Sequence, residues 1–249
     1  MAGSAWDFKT DDTRAEETVN VFVIYCEDEV SEPCYFESFE SEALRINVIG
    51  NQRSGHKNLQ YTVTKCIEAG YMEFAEGSYR LKNMITENLW CVYDRDLENV
   101  DLTQIQRENN TGWSLAIQNG LNAGLKVAWS NDAFELWVLL HFEDITPAEA
   151  QHRNFIYDRL TDIFKNLTPT TDSLKRFTTH SHFSYKGAFK KRSSFEEFVL
   201  PELKKRTADA LLRATKLAAH YSNETTFHER NPCTMVHTLV TELLANGGK

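Results

Sequence analysis

The chain has 249 residues, of which 41% are hydrophobic and 25% charged, with only 11 glycines and 5 prolines. That composition excludes collagen-like, mucin-like and disordered chains, and it suits a globular protein large enough to build a sizeable core. The formal net charge is -9, from 27 Lys and Arg against 36 Asp and Glu, so the molecule as a whole is not an electrostatic sleeve for nucleic acid. The average conceals a division, because residues 165–216 carry 12 basic side chains against 5 acidic ones and leave a net of -16 on the remainder.

Residues 1–18 form a polar, acidic lead-in without the basic and apolar blocks of a signal peptide. No apolar run approaches the ~20 residues of a bilayer span, so no membrane partner is expected and the predicted location is cytoplasmic. Residues 19–26 (VNVFVIYC) are a β-branched apolar run that predicts a central strand, followed at once by Glu27. Residues 31–41, with Pro33 near the start and Tyr35, Phe36 and Phe39 on one side, predict an amphipathic helix. A second strand is predicted over 44–50, then a loop over 51–56 and a helix through about Ala69.

Residues 89–94 (LWCVYD) predict a third strand, and 113–122 a helix closed by Gly124 before a fourth strand at 125–129. Four strands separated by helical connections describe an α/β fold, an open and mainly parallel sheet flanked by helices over residues 19–145. Ligands of such sheets gather at the carboxyl ends of the strands. The remainder, 146–249, reads as a mostly helical C-terminal region: helix near 148–165, a loop-rich basic segment over 167–192, and helices near 195–221 and 233–245. Asn231-Pro232 is expected to open the last of these, with Gly247 and Gly248 marking its end.

Glu27 and Asp94 therefore fall at the ends of the first and third predicted strands. Asp94 and Asp96 form a D-x-D in which alternate residues can turn two carboxylates toward one point, a donor set for Mg2+ or Mn2+. Glu27 can complete that set as a ligand or move a proton, with Asp28 and Glu29 close by. A solvated acidic loop has the same composition. Glu135 follows the fourth strand inside an otherwise apolar helix, where an unpaired charge is costly, so it either faces the site or makes a salt bridge between helices.

His141 is read either as a phosphate donor or acid, or as a hydrogen-bonded core histidine. Lys186, in SYKG, is placed to neutralise charge on a phosphoryl group or to sit in solvent. Phe177, Phe183, Tyr185 and Phe189 alternate with Lys175, Arg176, Lys186 and Lys190, which suits either base stacking with phosphate contacts or a packing cluster under a loop. The five cysteines contain no C-x-x-C, which predicts reduced buried thiols, and His180 and His182 have no cysteine nearby to close a zinc site. No phosphate-binding loop, dinucleotide fingerprint or nucleophile elbow is present.

Taken together, V-I-Y-C-E at 23–27, Pro33 with Tyr35-Phe36, W-C-V-Y-D-R-D at 90–96, Ser130-Asn131 with F-E-L-W at 134–137, His141-Phe142 and Asn231-Pro232 resemble the RloB-like family of prokaryotic defence proteins. The resemblance spans about residues 20–245 and implies a Toprim-like domain in which Glu27 matches the Toprim glutamate and Asp94 and Asp96 its D-x-D metal motif. It also matches Lys186 to a lysine after a tyrosine in the C-terminal part. The implied activity is a magnesium-dependent nuclease acting on nucleic acid, RNA such as transfer RNA ahead of DNA, as a toxic effector in anti-phage defence. An ATPase partner is implied alongside, and a partner-gated or non-catalytic subunit is the alternative. Asp132-Ala133 departs from the family's S-N-P-x-F-E-L-W pattern, which is expected to loosen the turn before the helix. Nothing in the pattern specifies an oligomeric state.

Overall fold

The computed structural model of the chain describes residues 19–50, 56–97, 101–105 and 107–247. The acidic lead-in, most of the predicted 51–56 loop and Gly248 lie outside them. Six strands appear before the C-terminal region: β1 (Asn20–Tyr25), β2 (Leu44–Ile49), β3 (Met72–Ala75), β4 (Ser78–Leu81), β5 (Asn88–Asp94) and β6 (Lys126–Asn131). A seventh, β7 (Cys233–Thr234), returns late in the chain. The main sheet runs β2-β1-β5-β6-β7, parallel except for β7, which pairs antiparallel with β6.

Side-chain alternation sorts the sheet's residues onto two covered faces. Phe22, Ile24, Trp90, Val92 and Ala128 point into the largest core cluster. Val23, Tyr25, Leu89, Cys91, Tyr93, Val127 and Trp129 point the other way, into two smaller clusters. Coverage of both faces explains why β5 and β6 read as near-continuous apolar runs rather than alternating ones.

The larger cluster is roofed by α1 (Ser31–Glu37), α4 (Glu135–Leu140), α5 (Arg153–Lys165), α9 (Leu200–Ala218) and α10 (Val236–Asn246). The opposite face carries α2 (His56–Glu68) and α3 (Arg107–Asn122). These two helices approach so closely that a Cβ on Gly120 would sit 2.7 Å from a Leu59 methyl. Gly124, at φ +88, ends α3 in a conformation that favours glycine, as expected from its position.

Several elements differ from the sequence expectation. The β3–β4 hairpin was not anticipated, because its strands are only four residues long and mostly exposed, and it pairs outside the main sheet. The 167–192 segment is not a loop but carries α6 (Asp172–Thr178), α7 (Tyr185–Ala188) and the start of α8 (Arg192–Ser194), the first two capped by Thr171 and Ser184 side chains. A π-helical turn, Phe195–Val199, leads into α9. Pro232 does not open a helix. It precedes β7, and α10 begins only at Val236. All five cysteines are buried and free, and no helix among the described residues is long and apolar enough to cross a membrane.

Candidate acidic active site

Parallel pairing sets Tyr25 of β1 beside Cys91 of β5, so the carboxyl ends of the two strands open at the same edge of the sheet. Asp94 is the last residue of β5, and Glu27 follows β1 by two residues. The turn between β1 and α1 is held by carboxylates. Glu32, 1% exposed, accepts hydrogen bonds from the Glu27 and Asp28 amides at 3.0 and 3.2 Å. Asp28 accepts from the Glu29 and Ser31 amides at 2.8 and 2.5 Å, satisfying donors at the entry to α1. Glu27 is thereby presented to the crevice, and buried Asn58 donates to its Oε2 at 3.4 Å.

Across the crevice, Asp94 Oδ2 accepts from the Phe134 amide just before α4 at 2.8 Å, while its Oδ1 is buried with no hydrogen-bond partner. Arg95 turns to the other side, donating to Asn110, to Asn131 Oδ1 at 3.3 Å and to the His228 carbonyl at 3.0 Å. Asp96, at φ 58, swings back and accepts from Arg153 at 2.7 Å. Arg153, the first residue of α5, is also clamped on Asp132, whose side chain is completely buried.

Asp94, Asp96, Glu27 and Glu135 line one chamber of about 260 Å³. It adjoins a second, of about 420 Å³, with which it shares Glu27, Glu135 and Tyr157, and whose outer wall carries Lys186 and Lys190. An acidic floor thus meets a basic rim. The Lys186 ammonium lies over the Tyr157 ring, 5.4 Å from its centroid.

The electrostatics follow from crowding of like charge at a desolvated place. Burial, then the neighbouring Asp94 and Asp96, push the Glu27 carboxyl up to about 9, against a smaller opposing effect from Asn58 and Arg153. Asp94 is raised well above the carboxylate range by burial and by Glu32, and Glu32 by burial and Asp28. Burial also raises Glu135, which Arg153 and a hydrogen bond from Tyr157 offset in part. Arg153 is held charged because Asp132, Asp94, Asp96 and Glu135 outweigh its own burial.

An all-oxygen set with one buried, unpartnered carboxylate oxygen has the chemistry a hard divalent cation requires. In the present side-chain arrangement no three such groups among the described residues converge on a single point, and Asp96 is turned to Arg153.

Of the residues singled out from sequence, Glu27, Asp94, Asp96, Glu135 and Lys186 come together here. His141 does not line the crevice. It is completely buried beneath α4, with its ring between Trp137 and Tyr35. The aromatics of the basic segment are likewise not available for stacking bases. Tyr185 and Phe189 are buried against Phe164, Phe183 is buried against Phe189, and Phe177 stacks on Phe198 at 5.0 Å. Sequence reasoning missed Glu32, Asn58 and Arg153, which reach the site from α1, α2 and α5. Asp132 was visible only as a departure from a pattern, and it does not leave the turn before α4 loose, since its carboxylate receives Arg153 and the Leu97 amide.

A family model described as RloB-like protein matches residues 22–243 of this chain. No curated protein and no solved structure matches it.

Proposed function

The chain belongs to the RloB-like family, and from that premise we propose that it is a Toprim-like, magnesium-dependent nuclease whose centre is formed by Glu27, Asp94 and Asp96. The observation that carries the reading is the meeting of these carboxylates with a lysine-bearing rim at the carboxyl ends of adjacent parallel strands. Such a pairing suits a phosphate backbone, in which an anionic substrate is drawn by cations while the reacting phosphorus is approached from an acidic, metal-binding side.

In this reading Glu27, Asp94 and Asp96 hold Mg2+, or Mn2+ in its place, and the ion when bound polarises the scissile phosphate and favours water as the nucleophile. Burial and the neighbouring Asp94 and Asp96 push the Glu27 carboxyl up to about 9, so it would hold a proton in the ion-free crevice and would have to be ionised to serve as a ligand. Asn58 orients that carboxyl through Oε2. Asp94 is fixed by the Phe134 amide so that its second oxygen faces the reaction. Lys186 and Lys190 take up the backbone at the rim, and Glu135, braced by Tyr157, borders both chambers. The preferred substrate is RNA, with transfer RNA first among candidates and DNA second, and the proposed setting is a toxic effector in anti-phage defence that an ATPase partner controls.

The test is cleavage of labelled transfer RNA, other RNA, single-stranded DNA and duplex DNA with Mg2+, Mn2+ or EDTA, with and without a cognate ATPase. Metal-dependent cleavage of one substrate class that disappears in Glu27→Gln is the expected result. Normal cleavage by a folded Glu27→Gln protein overturns the assignment.

A further inference from the structure

Three carboxylates of the crevice are tied down in different ways. Glu32 is committed to backbone amides of the β1–α1 turn, and Asp94 gives one oxygen to the Phe134 amide. Asp96 is different, because its side chain is 34% exposed and its short bond goes to a guanidinium that has another owner.

That owner is Asp132. Its Oδ2 accepts from Arg153 Nε at 3.3 Å and from the Arg153 amide at 3.4 Å, and its Oδ1 accepts from the same guanidinium at 3.3 Å. Its Oδ1 also accepts from the Leu97 amide at 2.8 Å, and its carbonyl accepts from the Arg95 and Asp96 amides at 3.1 and 3.3 Å. His152 adds a second tie, its Nε2 donating to the Leu97 carbonyl at 2.8 Å while Nδ1 accepts from the Asn154 amide. The loop carrying the D-x-D is therefore fastened to the start of α5 independently of the Asp96 carboxylate.

Arg153 is neutralised by a completely buried partner through a fork of donors, and its remaining arm reaches Asp96. Losing Asp96 leaves that guanidinium paired with Asp132, and the Asp96 carboxylate, 34% exposed, has solvent or an ion to turn to. We propose that Arg153, anchored on Asp132, is a positioning residue that holds Asp96 in the ion-free protein and yields it to an arriving divalent cation. This rests on the reading of Asp96 as a metal ligand given above. Arg153 then acts as a tethered competitor, keeping the crowded carboxylates from repelling one another apart before the ion arrives and weakening the ion's hold once it does. The site's occupancy becomes sensitive to the concentration of free divalent cation.

The experiment is calorimetric titration of the full chain with Mn2+, without nucleic acid. In the variant Arg153→Met with Asp132→Asn, one cation and one anion are removed together, so the local net charge is unchanged and a general field effect is avoided. Mn2+ should bind this variant about tenfold more tightly than wild type, and the same pair of changes made on Asp96→Asn should alter affinity less than about twofold, since the carboxylate competed for is gone. Unchanged or weaker binding in the paired variant, or a gain that persists on Asp96→Asn, overturns the proposal. Binding that is lost in Asp94→Asn but indifferent to Arg153 overturns it while leaving the metal centre standing, whereas no binding by wild type or any variant overturns both.

Should the paired variant fail to fold, the guanidinium resonances of Arg153 in wild-type protein give the same answer by nuclear magnetic resonance. They should move on saturation with Mg2+ as the Asp96 bond breaks, and resonances that stay in place overturn the proposal.

Discussion

The two ends of helix α4 carry titratable side chains in opposite predicaments. At its first residue, Glu135 borders a crevice where burial and like charge push carboxyl groups upward and where Asp94 Oδ1 has no partner. Just past its last residue, His141 is 0% exposed, its Nδ1 donating to the Trp137 carbonyl at 2.9 Å and its Nε2 3.3 Å from the Tyr35 hydroxyl. Burial holds that imidazole down to about 4, so it stays neutral, and the rings of Trp137 and Tyr35 pack edge-on against it. Burial is common to both ends. What separates a reactive place from a structural one is the crowding of buried carboxyls, which raise one another at the first end, against a neutral imidazole with a partner for each nitrogen at the second.

The most severe test of that contrast is substitution on each side. Asp94→Asn should reduce metal-dependent cleavage by about 10²–10⁴-fold or more, while the thermal midpoint measured in EDTA stays level or rises, because a buried carboxyl crowded by Glu32 gives way to an amide whose oxygen can still accept from Phe134. A midpoint well below wild type would mean that Asp94 is a structural residue. His141→Leu should do the reverse. It strands the Tyr35 hydroxyl and the carbonyl that Nδ1 serves, at about 1–3 kcal/mol of stability, with cleavage per folded molecule within about twofold of wild type. A loss of cleavage larger than the loss of folded protein would bring His141 back into the chemistry.

Much of this arrangement was legible in the residues. The four parallel strands announced themselves as β-branched and aromatic runs, and Glu27 and the D-x-D fell at their ends because the chain leaves a buried strand into polar solvent there. What could not be read was what long-range packing decides. Arg153 is 57 residues from Asp96 and 21 from Asp132, and nothing local marks it as their common partner. The aromatics of 177–189 show the opposite failure. Their alternation with lysines is compatible with a binding strip and with an amphipathic chain laid on a core, and short capped helices turn Phe183, Tyr185 and Phe189 inward. Lys175, Arg176 and Lys190 are exposed on the same segment and Lys186 is half-buried at the crevice, so the structure removes the stacking half of the reading and leaves the cationic half as a proposal.

The pH dependence of stability sharpens the comparison further, because Glu27 in the crevice and His141 in the core carry slopes of opposite sign. His141 binds its proton near 6.5 when unfolded and only near 4 when folded, so its contribution is present above the higher value and lost as pH falls through the lower one. Glu27 binds its proton near 4.5 when unfolded and at about 9 when folded, so its contribution is present below the lower value and lost as pH rises through the higher one. Urea denaturation in EDTA should therefore show His141→Leu flattening the acidic limb and Glu27→Gln flattening the alkaline limb. Either variant flattening the other limb would contradict the charge states derived for Glu27 and His141.

The smallest effect concerns the rim of the crevice. Lys186 lies over Tyr157, so Lys186→Ala would weaken nucleic acid binding whether the ammonium touches phosphate or merely steadies the ring beneath it. Salt separates the two. A lysine that neutralises one phosphate releases condensed counterions, so its loss should lower the slope of log affinity against log salt by about 1, along with a loss in affinity of about three- to tenfold at moderate ionic strength. A steadying lysine leaves that slope where it was. Measured by fluorescence anisotropy on catalytically silent Asp94→Asn, an unchanged slope would confine Lys186 to the same structural category as His141, and a reduced one would extend the functional end of the comparison from the acidic floor to the basic rim.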